Sequence, residues 1–198
     1  MKTFRWAIAG CLLVLFVACK NDTKEKSETT EEATEVAEEA EKVEEKAAAK
    51  TLEIALEARS ESNATGTVYF KEKDGVVSME AKITGLSAGS HAIHLHESSD
   101  CSSADGKSTG GHWNPTFQPH GEWGAESGYH KGDIGNFQAN DSGQGVVAFS
   151  TDEWCIGCGD PNKDILGKAV VVHQGTDDFT SQPSGAAGAR ISCGGVIE

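Results

Sequence analysis

Three histidines fall within His91-Ala-Ile-His-Leu-His-Glu97, in a chain that has only seven. His94 and His96 alternate with Ile93 and Leu95. Successive side chains on a strand point to opposite faces, so an extended backbone puts both imidazoles on one face and both aliphatic chains on the other. Downstream come His112, His120 and His130, then Asp133, and finally His173 in Val170-Val-Val-His-Gln174. A lone buried histidine is ordinarily a hydrogen-bonded core residue, and a histidine can also serve as a pH sensor. Neither role accounts for a pair on one strand face plus a group in one loop. Three imidazoles and a carboxylate suit a closed tetrahedral zinc site. The strand pair with His173 offers imidazoles that copper accepts. Spacing alone points to one or two histidine-rich transition-metal sites.

Such ligands need rigid elements behind them, and the pattern around them is that of strands. Leu52, Ile54 and Leu56 repeat with a period of two. Residues 66–83 form two strand-like runs around Asp74-Gly75, a hairpin-turn pair. Gly145 to Ser150 and Ile165 to His173 are the next clear strands. No stretch of this region has a convincing helical period. Short strands with turn signals predict an antiparallel sandwich or barrel. Two long Gly-rich segments, 97–134 and 174–190, interrupt it, and loops of that length in a compact domain are usually functional.

The first residues read MKTFRWAIAGCLLVLFVACKND. Lys2 and Arg5 precede an apolar run from Trp6 to Val17, too short to span a bilayer and flanked like a secretory leader. Phe-Val-Ala-Cys19 resembles the lipobox of bacterial lipoproteins, which implies a leader over residues 1–18 and a lipidated Cys19; a plain cleaved leader is the alternative. Residues 19–50 are then a charged tether of Glu, Lys, Ala and Thr, with too few apolar positions for a coiled coil. Residues 51–198 make one domain of ordinary size. It carries nine basic and 20 acidic residues, a formal charge of −11, which argues against nucleic acid as a partner. Cys101, Cys155, Cys158 and Cys193 are an even set in an oxidising compartment, as a disulfide framework requires.

The blocks between the ligands carry more. His94-Leu-His-Glu97, Asp100-Cys-Ser-Ser103, Gly110-Gly-His-Trp-Asn-Pro115, His130-Lys-Gly-Asp-Ile-Gly-Asn136, Val171-Val-His-Gln174 and Gly188-Ala-Arg-Ile-Ser-Cys-Gly194 stand in collinear order over residues 66–198. Together they resemble the copper/zinc superoxide dismutase family. The resemblance implies an all-β fold, a Greek-key antiparallel barrel or sandwich of about eight strands with two long functional loops. It assigns copper to His94, His96, His112 and His173, and zinc to His112, His120, His130 and Asp133. His112 would bridge both ions, open from copper on reduction and take a proton. Arg190 would attract and orient superoxide. Asp177 would link a copper-ligand histidine to a zinc-ligand histidine, and Cys101 and Cys193 would form the family disulfide. His91 aligns with a structural histidine outside the site. The implied activity is dismutation of superoxide to dioxygen and hydrogen peroxide in a membrane-anchored extracytoplasmic lipoprotein, in the periplasm or at the cell surface. The rival is a non-catalytic relative that buffers copper or zinc, which would be expected to lack Arg190, the bridge or a ligand. No dimer surface is legible in one chain, so monomer and homodimer both stand.

Some features depart from the family pattern. Trp154-Cys-Ile-Gly-Cys158 resembles thioredoxin-like redox motifs, but Gly-Asp-Pro-Asn-Lys163 follows and cannot open a helix. A local disulfide stabilising a turn is the expected use, ahead of metal binding or a redox role. The interval from His120 to His130 is longer than the family's by a residue, Tyr129 stands where Arg is common, and Gly194-Gly195 adds a glycine. Residues 174–189 contain no Lys or Arg. Weak long-range steering of superoxide is therefore expected, with only Arg190 and Lys107 helping.

Overall fold

The structure is a computed structural model that describes residues 48–198. The expected leader, Cys19 and nearly all of the tether lie outside the described residues. The strands are β1 (Lys50–Ala58), β2 (Thr65–Lys73), β3 (Val76–Thr84), β4 (Gly89–His96), β5 (Gly135–Ala139), β6 (Gly145–Thr151), β7 (Ala169–His173) and β8 (Arg190–Gly195). They close in the order β1-β2-β3-β6-β5-β4-β7-β8, with β8 returning to β1 and every pairing antiparallel. β3 and β4 are consecutive in the chain yet separated by β6 and β5, the return connection of a Greek key. The all-β Greek-key barrel expected from the sequence is the fold observed.

Alternation builds the barrel interior. Val77, Met79, Ala81 and Ile83 point inward along β3, and Val68 and Phe70 do so along β2. Each of these side chains except Ala81, once buried, contributes roughly 1.5–3 kcal/mol. Asp74 and Gly75 both have positive φ, 53° and 80°, the backbone of the two-residue turn whose twist suits a hairpin. β4, β7 and the middle of β8 differ from the rest because both of their faces are buried. Ile93, Leu95, Val170 and Val172 enter the main core. The opposite face carries His94 and His96 on β4, and Ala169 and Val171 on β7, under the long loops.

Two strand starts and one whole strand differ from the sequence expectation. β1 begins at Lys50, two residues before Leu52, where the period-two run starts. The strand expected from Ile165 begins only at Ala169, because Asp164 accepts backbone N–H bonds from Gly157, Gly159 and Leu166 and holds that stretch as a turn. β5 was not read from the sequence at all. Its inward residues are Gly135, Phe137 and Ala139, only one of them large. Among the described residues the only helical turn is the short 3-10 segment Lys107–Thr109.

Candidate metal centre

β4 pairs with β7 in a register that sets His94 opposite Val171 and His96 opposite Ala169. The 97–134 loop folds back over this sheet face. Backbone bonds from Leu95 to Gly132, Trp113 to Leu95 and Glu97 to Gly111 lace it down. His112, His120 and His130 are thereby carried to the outer face of β4. The Cys101–Cys193 disulfide ties the start of the loop to β8, across 92 residues. His173 arrives from the end of β7.

The histidines form two groups that share one member. The donor atoms of His94, His96, His112 and His173 lie within 4.8 Å of one another, and so do those of His112, His120, His130 and Asp133. Every one of these residues is buried. In four of the imidazoles one ring nitrogen is held by an outer acceptor. His94 Nε2 donates to Asp177 Oδ2 at 2.8 Å, and His120 Nε2 donates to Asp177 Oδ1 at 2.9 Å. His96 Nδ1 donates to the carbonyl of Gly110 at 3.0 Å, and His173 Nδ1 points to that of Gly188 at 3.4 Å. In the neutral ring each bond fixes the tautomer, so the lone pair sits on the other nitrogen and faces inward.

Those inward nitrogens are short of hydrogen-bond partners. Nδ1 of His94, Nε2 of His112, Nδ1 of His120 and Nδ1 of His130 are buried and make no hydrogen bond. His120 Nδ1 and His130 Nδ1 lie 3.0 and 3.2 Å from the Asp133 carboxylate, but off the axis a hydrogen bond would need. Nε2 of His96 and Nε2 of His173 face each other at 3.3 Å. A buried polar atom left unsatisfied costs about 1–3 kcal/mol. Several in one place, all with lone pairs converging, are what a set of cation ligands looks like. His112 belongs to both groups, turning Nδ1 to Asp133 at 2.8 Å and Nε2 toward His94, His96 and His173. The donor chemistry fits copper in the first group and zinc in the second.

The charge balance follows from the packing. Burial holds His96 and His173 well below the ordinary histidine pKa, reinforced by neighbouring histidines. Burial also lowers His112, to about 4, although its bond to Asp133 opposes the shift. His120 goes the other way. Burial would lower it, but Asp133 and Asp177 outweigh that and raise it to about 9. Both carboxylates stay far below their usual range despite burial, because histidine N–H groups point at them.

Beside the first group lies a cavity of about 450 Å³, lined among others by His96, His112, His173, Glu97, Lys107 and Arg190. Arg190 is half-buried, and its Nη1 donates to the Gly106 carbonyl and to Thr109 Oγ1, both at 2.9 Å. Lys107 is paired with Asp105 at 3.0 Å on the exposed rim. His91 stands apart from both groups, with Nδ1 donating to the His173 carbonyl at 2.9 Å and Nε2 able to accept from Ser87 Oγ at 3.2 Å. Cys155 and Cys158 form a second disulfide in the β6–β7 loop.

Sequence reasoning missed the supports. Asn136 clamps the backbone of Asp177 in both directions, at 2.9 and 2.8 Å. Gln182 does the same for His120, at 2.9 and 2.8 Å. Thr109 and the carbonyls of Gly110 and Gly188 complete the set. Asn136, Gly110 and Gly188 lie inside quoted blocks, but nothing in their residue type marks them as supports; Thr109 and Gln182 carry no signal in residue type or spacing.

Residues 64–197 match the family model described as copper/zinc superoxide dismutase. The chain is 33% identical over 141 residues to an extracellular superoxide dismutase [Cu-Zn] of Caenorhabditis elegans, a match covering 67% of this chain and 62% of that relative's length. Among solved structures, a SOD-like protein from Bacillus subtilis is similar at a TM-score of 0.65 and 29% identity, covering 73% of this chain and 97% of that one. A double mutant of that protein gives 0.66 and 31%, covering 74% and 97%.

Proposed function

The chain belongs to the copper/zinc superoxide dismutase family, whose cofactors are copper and zinc, and on that premise we propose that it dismutes superoxide to dioxygen and hydrogen peroxide outside the cytoplasm. The observation that carries this reading is the pair of buried histidine groups, with unpartnered nitrogens turned inward and His112 common to both. His94, His96, His112 and His173 would hold copper; His112, His120, His130 and Asp133 would hold zinc. When bound, copper supplies the one-electron chemistry that both halves of the reaction need.

The chain supplies the rest. Arg190 presents a permanent positive charge to the cavity, where a small anion can lie beside His96, His112 and His173. Burial keeps His96 and His173 neutral, so their inward nitrogens are free to act as ligands at neutral pH. Nε2 of His112 is the site where a proton can be held next to that anion. Asp177 couples the groups mechanically, since one carboxylate orients His94 and His120 together.

Two disulfides and the extracellular relative support a place outside the cytoplasm. A lipidated Cys19, left at the N-terminus once a leader over residues 1–18 is removed, and a tether to residue 50 would hold the domain near a membrane. The rival reading, metal buffering without turnover, draws on Glu97 at the cavity and on the absence of Lys and Arg from residues 174–189. The test compares superoxide consumption by the copper- and zinc-loaded parent and by Arg190→Ala. Fast turnover, at least about tenfold slower in the variant, supports the enzyme. Bound metals without turnover leave the buffering protein.

A further inference from the structure

We propose that the Cys155–Cys158 bridge is a thiol-exchange site, opened by small thiols through the sulfur of Cys158. The bridge lies in the β6–β7 loop, outside both histidine groups. Its two halves differ in access. Cys158 is exposed, whereas Cys155 is only 6% exposed. A thiolate must reach a disulfide sulfur along the bond axis, so attack falls on Cys158.

The loop does not depend on this bond for its shape. Cys155 N–H donates to the Lys163 carbonyl at 2.8 Å, and Ile165 N–H donates to the Cys155 carbonyl at 3.1 Å. Asp164 gathers N–H bonds from Gly157, Gly159 and Leu166 at 2.8–3.1 Å. Lys50 Nζ and Glu72 bind the backbone of Ile156 from β1 and β2. A link across a separation of three removes little entropy from the unfolded chain, so its loss costs little stability. The other bridge differs, with a separation of 92, Cys193 only 1% exposed and Cys101 partly buried.

The reduced state is also accommodated. Cys155 as a thiol is a small buried hydrophobe in the setting that suits one. The Asp160 N–H, 3.5 Å from Cys158 Sγ, favours negative charge on that sulfur, and the Asp164 carboxylate, within 4.8 Å, opposes it. In the first step a small thiolate forms a bond to Cys158 Sγ while the Cys155–Cys158 bond breaks; Cys155 Sγ leaves with the electron pair and takes a proton from water. A second thiolate attacks the sulfur of the first, which is bonded to Cys158, and releases Cys158, which is then protonated. Two small thiols become one disulfide, and the bridge becomes two thiols.

The experiment exposes the metal-loaded full chain to graded mixtures of reduced and oxidised glutathione, followed by acid quench, alkylation and mapping by mass spectrometry. The expected result is a glutathione adduct on Cys158, and free thiols at Cys155 and Cys158, at glutathione levels at least about tenfold below those that open Cys101–Cys193. Cys155→Ser should capture one glutathione on Cys158, while in Cys158→Ser the thiol of Cys155 should stay unmodified until the chain unfolds. A bridge that resists all mixtures, an adduct on Cys155, or simultaneous opening of Cys101–Cys193 would overturn the proposal.

Discussion

Arg190 owes its position to a hydroxyl. Both hydrogens of Nη1 are used, one by the Gly106 carbonyl and one by Thr109 Oγ1. Thr109 is fully buried, and its own proton goes to Gly106 O at 2.9 Å, so the oxygen can only accept from Arg190. Thr109→Val keeps the volume and deletes the acceptor. Azide affinity of the metal-loaded protein should fall by about tenfold or more, as loss of one hydrogen bond to a charged group implies, while Thr109→Ser should retain it. Asp177 acts on two ligands at once, so Asp177→Ala should lower zinc affinity by about 10–100-fold, measured by chelator competition. Histidine spacing pointed only to histidine-rich metal sites; the division into two ligand sets came from the family resemblance. The carbonyls of Gly110 and Gly188 were not legible, because every residue has a carbonyl and only the fold decides which one meets an imidazole.

At the scale of elements, the site rests on two strands buried on both faces and one loop strapped across them. Period-two patterning made β1, the β2–β3 hairpin and the alternation of His94 and His96 readable. β5 escaped because glycine and alanine fill most of its inward positions, leaving no apolar signal of period two. The false start at Ile165 has the opposite cause, an apolar pair that packs from a turn rather than a strand. The strap itself depends on Cys101–Cys193. Replacing both cysteines by Ser should cost about 2–5 kcal/mol of stability, read from denaturant unfolding of the metal-free chain. Because β8 also carries Arg190, the same variant should lose anion affinity before it loses metal.

For the whole molecule, charge and protonation make the predictions. The metal-free chain should be most stable near pH 6.5. His96 and His173 have folded pKa values below the ordinary 6.5, so what they contribute is fully present above it and fades as pH falls. His120, raised to about 9, contributes fully below 6.5 and loses that contribution as pH climbs through 9. Thermal unfolding across this range should therefore show both limbs in the metal-free chain, and metal loading should flatten the alkaline one, since bound imidazoles carry no proton there. The net charge of −14 predicts little help in collecting superoxide. The second-order rate should change by no more than about twofold between low and physiological ionic strength; a steep fall with salt would mean strong steering. The central claim is that two buried groups form two metal sites joined by His112. The direct test is copper and zinc content per chain after loading the metal-free protein, in the parent and in His112→Ala. The account predicts one of each metal in the parent and loss of both affinities in the variant. A variant that keeps one metal at parental affinity would contradict the shared ligand.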